Sequence, residues 1–556
     1  MEFNRYFTNK ELEASIKDWI GTYPHLISRA ELGKTNEGRP IWLLTITNQE
    51  TGPDTEKPAV WIDANIHATE IAGTTTSMSL AYTLLNQYGE DEQITKLVDA
   101  SVYYIGPRVN PDGAELAMGE IPEYVRSGVR PYPHVDKEEG LHSKDIDNDG
   151  RILTMRIADP NGDWKISSLD PRLMERRKPD EQGGDYYRLL PEGYIEDYDG
   201  HQISIAKPHR GLDFNRNFPV EWRPESEQRG AGPYPTSEVE IKAIVDFIVQ
   251  HPNINAAITY HTYSGAILRP PSVHSEEEMD ASDLWVYKAI GKRGTDLVGY
   301  PNVSVYHDFR YHPKQVISGV FDEWMYNHLG IFSFTVEQWD IVSKAGIKDR
   351  KFIDWMRDHP HEDDLKILEW ADQNAGNDAY VDWYDFDHPQ LGKIEIGGWN
   401  NMYTWRNPPH NFMGEEAERN VPFALSLGRM LPHLEIHALK IAKVANDTFT
   451  INLVVDNSGF FPTHTSNQGK NRNVIRQVFV EIELPQGCKI LTGQEKTKVG
   501  HLEGRSNKIS SIFTVASPTD NRTRLEWTVK APPGTNGAIH INSDRAGTIH
   551  RDIILE

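Results

Sequence analysis

At 556 residues the chain exceeds one ordinary domain, and its length sets an expectation of two or three. Lys and Arg number 58 against 82 Asp and Glu, a formal net charge of −24, which argues against nucleic acid and anionic membrane surfaces as partners. The lone Cys488 excludes an intramolecular disulfide framework and a cysteine-held zinc, so a metal would have to be bound by His and carboxylate.

The N-terminus lacks a basic segment followed by an apolar run, and no apolar stretch approaches the length of a membrane span. The expectation is a cytoplasmic protein, or a secreted one if a leader has been removed. Thr8, with Glu11 three residues later, opens a predicted helix over 8–20 whose Leu12, Ile16 and Ile20 share a face. Strands are predicted near 26–32 and 41–47. Between them, Gly33-Lys34-Thr35 lacks the earlier glycine of a phosphate loop, since Ser28 stands there. An apolar strand at 60–62 runs through a polar turn into a helical pattern of Ile71, Thr75, Met78, Tyr82 and Leu85. A helix at 91–99 and a strand at 102–105 follow. Residues 114–210 are polar and rich in Pro, Gly and Asp, and read as an insertion folded over the domain surface.

Residues 236–249 make an amphipathic helix leading into a strand at 256–260. A helix at 281–298, a polar loop with Tyr306 and Tyr311, a short helix at 319–328 and a strand at 331–336 complete the pattern. Strands alternating with helices predict an α/β domain, a mixed and largely parallel sheet flanked by helices. From about 436 the texture changes to short strand-like runs, at 451–455, 478–484, 508–515, 523–529 and 538–541, separated by turns. These predict an all-β sandwich over 436–556 with an unknown partner, after a first domain of 1–435.

His67 and Glu70, three apart where strand becomes helix, can point the same way. An imidazole and a carboxylate at a strand end begin a catalytic zinc site, which wants three protein ligands and an open position. His261 and Glu337 also fall at predicted C-terminal strand ends, where ligands of such sheets bind.

These segments, in this order, resemble the zinc carboxypeptidases of the carboxypeptidase A type over roughly residues 6–430. The motifs are N-I-H-A-T-E at 65–70, N-P-D-G at 110–113, L-D-F-N-R-N-F-P at 212–219, A-I-T-Y-H-T-Y-S at 257–264 and E-W-M-Y-N-H-L-G-I-F-S-F-T-V-E at 323–337. The resemblance implies a carboxypeptidase fold and a zinc ion held by His67, Glu70 and His261. It makes Glu337 the general base, Asn215 and Arg216 the clasp for a substrate's terminal carboxylate, and Asp213 the residue that orients His67. The implied substrate is a peptide with a free C-terminus. For the arginine that stabilises the oxyanion, Arg126 is the first choice and Arg130 the second. The mobile tyrosine is less well placed: counting back from Glu337 reaches Gln315, leaving Tyr311 nearby and Tyr306 further off. Asp322 either lines the side-chain pocket, favouring a basic C-terminal residue, or caps the following helix or faces solvent. Alternative functions on this scaffold are an amidase or deacylase acting on acylated amino acids or cell-wall peptides, and an inactive peptide-binding protein.

Within the insertion, Asp145, Asp147 and Asp149 alternate before Gly150, the first half of a calcium loop. Arg156 occupies the position of the expected bidentate Glu, with Asp159 as a substitute. The two readings are a structural Ca2+ site and a solvated acidic turn.

Overall fold

The computed structural model describes residues 3–556 except 135, 137, 313, 377 and 507–516. The strand expected at 508–515 therefore lies outside the described residues. Thr8 caps the first helix, α1 (Asn9–Thr22), through the reciprocal Thr8–Glu11 capping box that the sequence predicts.

An eight-stranded mixed sheet forms the centre. Its strands are β1 (Ile27–Lys34), β2 (Pro40–Ile46), β3 (Ala59–Ala64), β4 (Val102–Gly106), β5 (Ile254–Thr262), β6 (Ala266–Arg269), β7 (Asn302–Ser304) and β8 (Phe332–Gln338). The spatial order is β1-β2-β4-β3-β5-β8-β6-β7, with β4, β3, β5 and β8 mutually parallel at the core. Every residue of β3 and β5 is buried, as expected of parallel strands covered on both faces. One face carries α2 (Ala72–Asn86), packed against the late helix Met413–Gly428. On the other face Ile241, Ile244 and Ile248 of the helix Val239–Gln250 join Trp61 and Tyr104 in a second core.

Residue size fixes how closely α2 approaches the sheet. A Cβ placed on Gly73 would lie 2.8 Å from the Cβ of Tyr260 and 3.0 Å from that of Ala64, so glycine permits the contact. This pins the first turn of α2, and with it the loop 65–70, against the ends of β3 and β5.

The insertion is more structured than a surface loop. Its strands Thr154–Ala158, Trp164–Ile166, Met174–Arg176 and Tyr187–Pro191 combine with a later hairpin, Tyr380–His388 and Gly392–Trp399, in a six-stranded sheet. Two segments separated by more than 180 residues thus share one sheet over a small apolar core that includes Met155, Ile394 and Ile396. At the C-terminal end two four-stranded sheets enclose a core containing Phe449, Val480, Trp527 and Ile541. The first of their strands is Leu434–Ala445, and Lys489–Thr492, Lys496–Gly500 and Gly547–Leu555 add to the runs predicted from sequence. Among the described residues, no helix is long and apolar enough to cross a membrane.

Candidate active site

The loop after β3 is shaped by Asn65. Its backbone lies in the left-handed region (φ 60°), which asparagine tolerates better than most residues. Its side-chain amide donates to the carbonyls of His67, at 2.8 Å, and of Ala68 and Glu70. The loop so folded turns His67 and Glu70 toward β5. His67 Nδ1 lies 2.9 Å from Glu70 Oε1, and His261 Nδ1 lies 3.0 Å from both His67 Nδ1 and Glu70 Oε2. All three residues are at most 2% exposed.

The protonation pattern decides what this cluster can hold. His67 Nε2 faces Asp213 Oδ1 at 3.1 Å, a partner for an Nε2–H that turns Nδ1 toward the cluster as the nitrogen able to bind a cation. Burial lowers the pKa of His261 below its ordinary value, which disfavours its charged form. Burial works against charge on Glu70, but His67 and His261 outweigh it and hold its carboxyl well below the usual range. Two imidazole nitrogens and a carboxylate, converging at about 3 Å, form a donor set that a divalent cation fits. Separations near 3.3 Å are what tetrahedral Zn–N bonds of about 2.0–2.1 Å produce. Zinc is accordingly the cofactor this buried triad is suited to bind.

Glu337 stands in direct register with His261 on the adjacent parallel strand. One carboxylate oxygen is buried without a partner. Burial first, and then the Glu70 carboxylate, push the Glu337 pKa well above its ordinary value, while Arg126 and Arg406 pull it down. A dication at the triad would add to that downward pull.

Asp213 links the triad to the rest of the site. Its Oδ1 accepts from His67 and from the Asn215 amide, the latter at 2.9 Å, while Oδ2 accepts from Arg126 Nε at 3.0 Å. Burial opposes its ionisation, yet Arg126, Arg216 and His67 hold its carboxyl well below the ordinary range. Arg126 NH1 also reaches Glu70 Oε1 at 2.9 Å. Of the two arginines considered from sequence, Arg126 is thus the one at the site. Arg130 is removed from it, paired bidentately with Glu238.

Asn215 Oδ1 accepts the Phe321 amide, and Arg216 NH1 donates to the Asn215 carbonyl, which keeps both beside Asp213. Tyr311 is 55% exposed. Its pKa is raised by desolvation first and then by Glu337, with Arg126 and Arg216 opposing. Tyr306 lies instead beneath the Arg310 guanidinium, 3.8 Å from ring centroid to Cζ, and lines a separate cavity of about 990 Å³. Asp322 neither caps a helix nor faces solvent. It is 4% exposed, accepts from the Glu323 amide and Thr335 Oγ1, and is pushed up to about 6, chiefly by burial.

Two residues went unnoticed in the sequence. Arg406 NH1 donates to Thr69 Oγ1 at 3.2 Å, between the two ligands of the loop. Asn407 Oδ1 accepts the amides of Ile71 and Ala72, capping α2 from outside, while its Nδ2 donates to the Thr69 carbonyl. Both come from a segment more than sixty residues beyond Glu337, and no motif marks them.

In the acidic loop, Asp145, Asp147 and Asp149 bring oxygens within 4.8 Å of one another. Asp159 does not complete it, being paired with Arg188, and Arg156 is held by Glu395. The fully buried Glu192 lies beneath instead, accepting from the amides of Ile146 and Leu153. Burial, with smaller contributions from Asp147 and Asp145, raises its carboxyl to about 7.

A family profile of zinc carboxypeptidases matches residues 12–347, and a domain of unknown function matches 433–554. Rat carboxypeptidase A2 is 26% identical over 282 residues, covering 51% of this chain and 50% of that protein. Human carboxypeptidase A1 is 25% identical over 279 residues, covering 50% of each. The chain thus spans about half the length of these curated relatives. Among solved structures, thrombin-activatable fibrinolysis inhibitor matches with a TM-score of 0.44 at 17% identity, covering 77% of this chain and 74% of that one. Carboxypeptidase A from Helicoverpa armigera matches with a TM-score of 0.40 at 16% identity, covering 67% and 73%. The match over more than half of the chain, with a buried His-Glu-His cluster at its centre, makes this protein a member of the zinc carboxypeptidase family.

Proposed function

We propose that the chain is a metallocarboxypeptidase that hydrolyses the C-terminal peptide bond of peptides. The observation that carries this reading is the convergence of His67 Nδ1, His261 Nδ1 and Glu70, with Glu337 one strand away in register. Zinc bound there supplies Lewis acidity toward water and toward the scissile carbonyl.

The protein's own groups do the rest. Glu337 takes the proton of the attacking water on its carboxylate and delivers it to the leaving amine. Arg126, fixed from two sides by Asp213 and Glu70, donates to the oxyanion as charge develops. Arg216 and Asn215 hold the terminal carboxylate, and guanidinium suits that task because its paired donors match two oxygens. Asp322 at the pocket favours a basic C-terminal side chain, and Tyr311 serves as the mobile tyrosine.

The test compares one peptide with a free and with an amidated C-terminus, in wild type and in Arg216→Ala. The expected result is cleavage of the free acid only, abolished by chelation and restored by zinc, with Arg216→Ala weakening it at least tenfold. Equal hydrolysis of both ends, or an equal effect of Arg216→Ala on both, overturns the carboxylate clasp. Turnover of N-acyl amino acids in place of peptides identifies a deacylase.

A further inference from the structure

The C-terminal sheets carry a second pair of histidines placed as metal ligands. His540, on the strand Thr535–Ser543, lies directly opposite His550 on the strand Gly547–Leu555. Ile539 and Ile541, on either side of His540, are buried in the core, and Ile549 beside His550 packs against it, so alternation puts both imidazoles on the outer face. The two Nδ1 atoms are 3.3 Å apart, with ring centroids 4.7 Å apart.

Each ring is anchored at its other nitrogen. His540 Nε2 faces Glu483 Oε2 at 3.2 Å, and His550 Nε2 faces Asp552 Oδ1 at 3.1 Å. A carboxylate accepts only an N–H, so each ring's first proton belongs on Nε2, and the two Nδ1 atoms that face each other are the positions left to bind a cation. Two lone pairs at this separation repel unless a cation lies between them. The arrangement is the carboxylate–histidine–metal relay seen at His67, where Asp213 fixes the tautomer. The separation equals the roughly 3.3 Å between two nitrogens on one tetrahedral zinc. Glu481 stands on the next strand at the same rung as His540, where it is paired with Lys496.

We infer that His540 and His550 bind a divalent transition-metal ion such as zinc, with water completing its coordination at this half-exposed face. The ion is separate from the one at His67, Glu70 and His261, and peptide hydrolysis does not need it.

The experiment is equilibrium dialysis of the full chain against zinc, followed by metal analysis, with peptidase turnover as the control for folding. Wild type should hold more than one zinc per chain. His540→Ala and His550→Ala should each hold one fewer while turning over substrate at the wild-type rate. Glu483→Gln combined with Asp552→Asn keeps both imidazoles and should weaken the extra zinc by about 10–100-fold. A wild-type content that never exceeds one zinc overturns the site. Unchanged zinc content in both histidine variants overturns it equally.

Discussion

Asp213 offers the sharpest test of how the site is wired, because its two oxygens serve different partners. Oδ1 accepts two donors, His67 Nε2 and the Asn215 amide, whereas Oδ2 accepts one, Arg126 Nε. In Asp213→Asn the amide oxygen keeps the position with two donors. The amide nitrogen then confronts Arg126, donor against donor, and the guanidinium is released on that side. Arg126 retains its NH1 contact to Glu70, so displacement is partial. Loss of one oxyanion donor costs about 10²–10³-fold in turnover. The retained contact puts the expected fall near the low end, about 10²-fold or about 2.7 kcal/mol. Zinc content should stay at the wild-type level, since His67 keeps its tautomer. Asp213→Ala, in contrast, frees both partners and should also loosen zinc by about 10–100-fold. The assay is kcat on a free-acid peptide alongside metal analysis of dialysed protein. Asp213→Asn with wild-type kcat, or with zinc lost while turnover per bound zinc is unchanged, would refute this division of labour.

Asp322 predicts a pH-dependent selectivity. Burial raises its carboxyl to about 6, so a basic C-terminal residue meets a neutral acid below that pH and a carboxylate above it. The ratio of kcat/KM for C-terminal Lys over Leu should rise from roughly pH 5 to pH 7 and become flat in Asp322→Asn; a ratio unaffected by that substitution removes Asp322 from the pocket. The same shift has a stability consequence. The folded-state pKa exceeds the ordinary carboxyl value near 3.9, so the native state keeps a proton that the unfolded chain releases. This group's contribution to stability is therefore full below about pH 4 and is lost as pH rises through about 6. At the acidic loop we propose a structural calcium site, for which calcium at a hundredfold excess over Kd should stabilise the fold by about 2.7 kcal/mol. Thermal melts with and without calcium check this, and Asp147→Asn should erase the increment; identical melts refute it.

The sheet and the triad were legible in the sequence for a physical reason. Strands buried on both faces read as apolar runs, and His67, His261 and Glu337 fall where those runs stop, while their separate roles are what the family resemblance implies. What depended on distant contacts was not legible. Arg126 and Arg130 look alike in sequence, and only the Glu238 partner of Arg130 separates them. Tyr311 and Tyr306 are likewise distinguished by the path of one loop. The hairpin 380–399 pairs with strands of the insertion, and such pairing leaves no periodic trace in either segment. Arg406 and Asn407 reach the ligand loop from a segment that the family profile does not cover.

The central claim is that one zinc, held by His67, Glu70 and His261, works with Glu337 as proton acceptor. Glu337→Gln keeps the shape and removes the base without touching a ligand. Metal analysis paired with turnover of a free-acid peptide should give one zinc per chain at the catalytic centre and a loss of activity of about 10²–10⁴-fold or more. Wild-type turnover in this variant, or a wild-type protein that binds no zinc at His67, Glu70 and His261, would contradict the account.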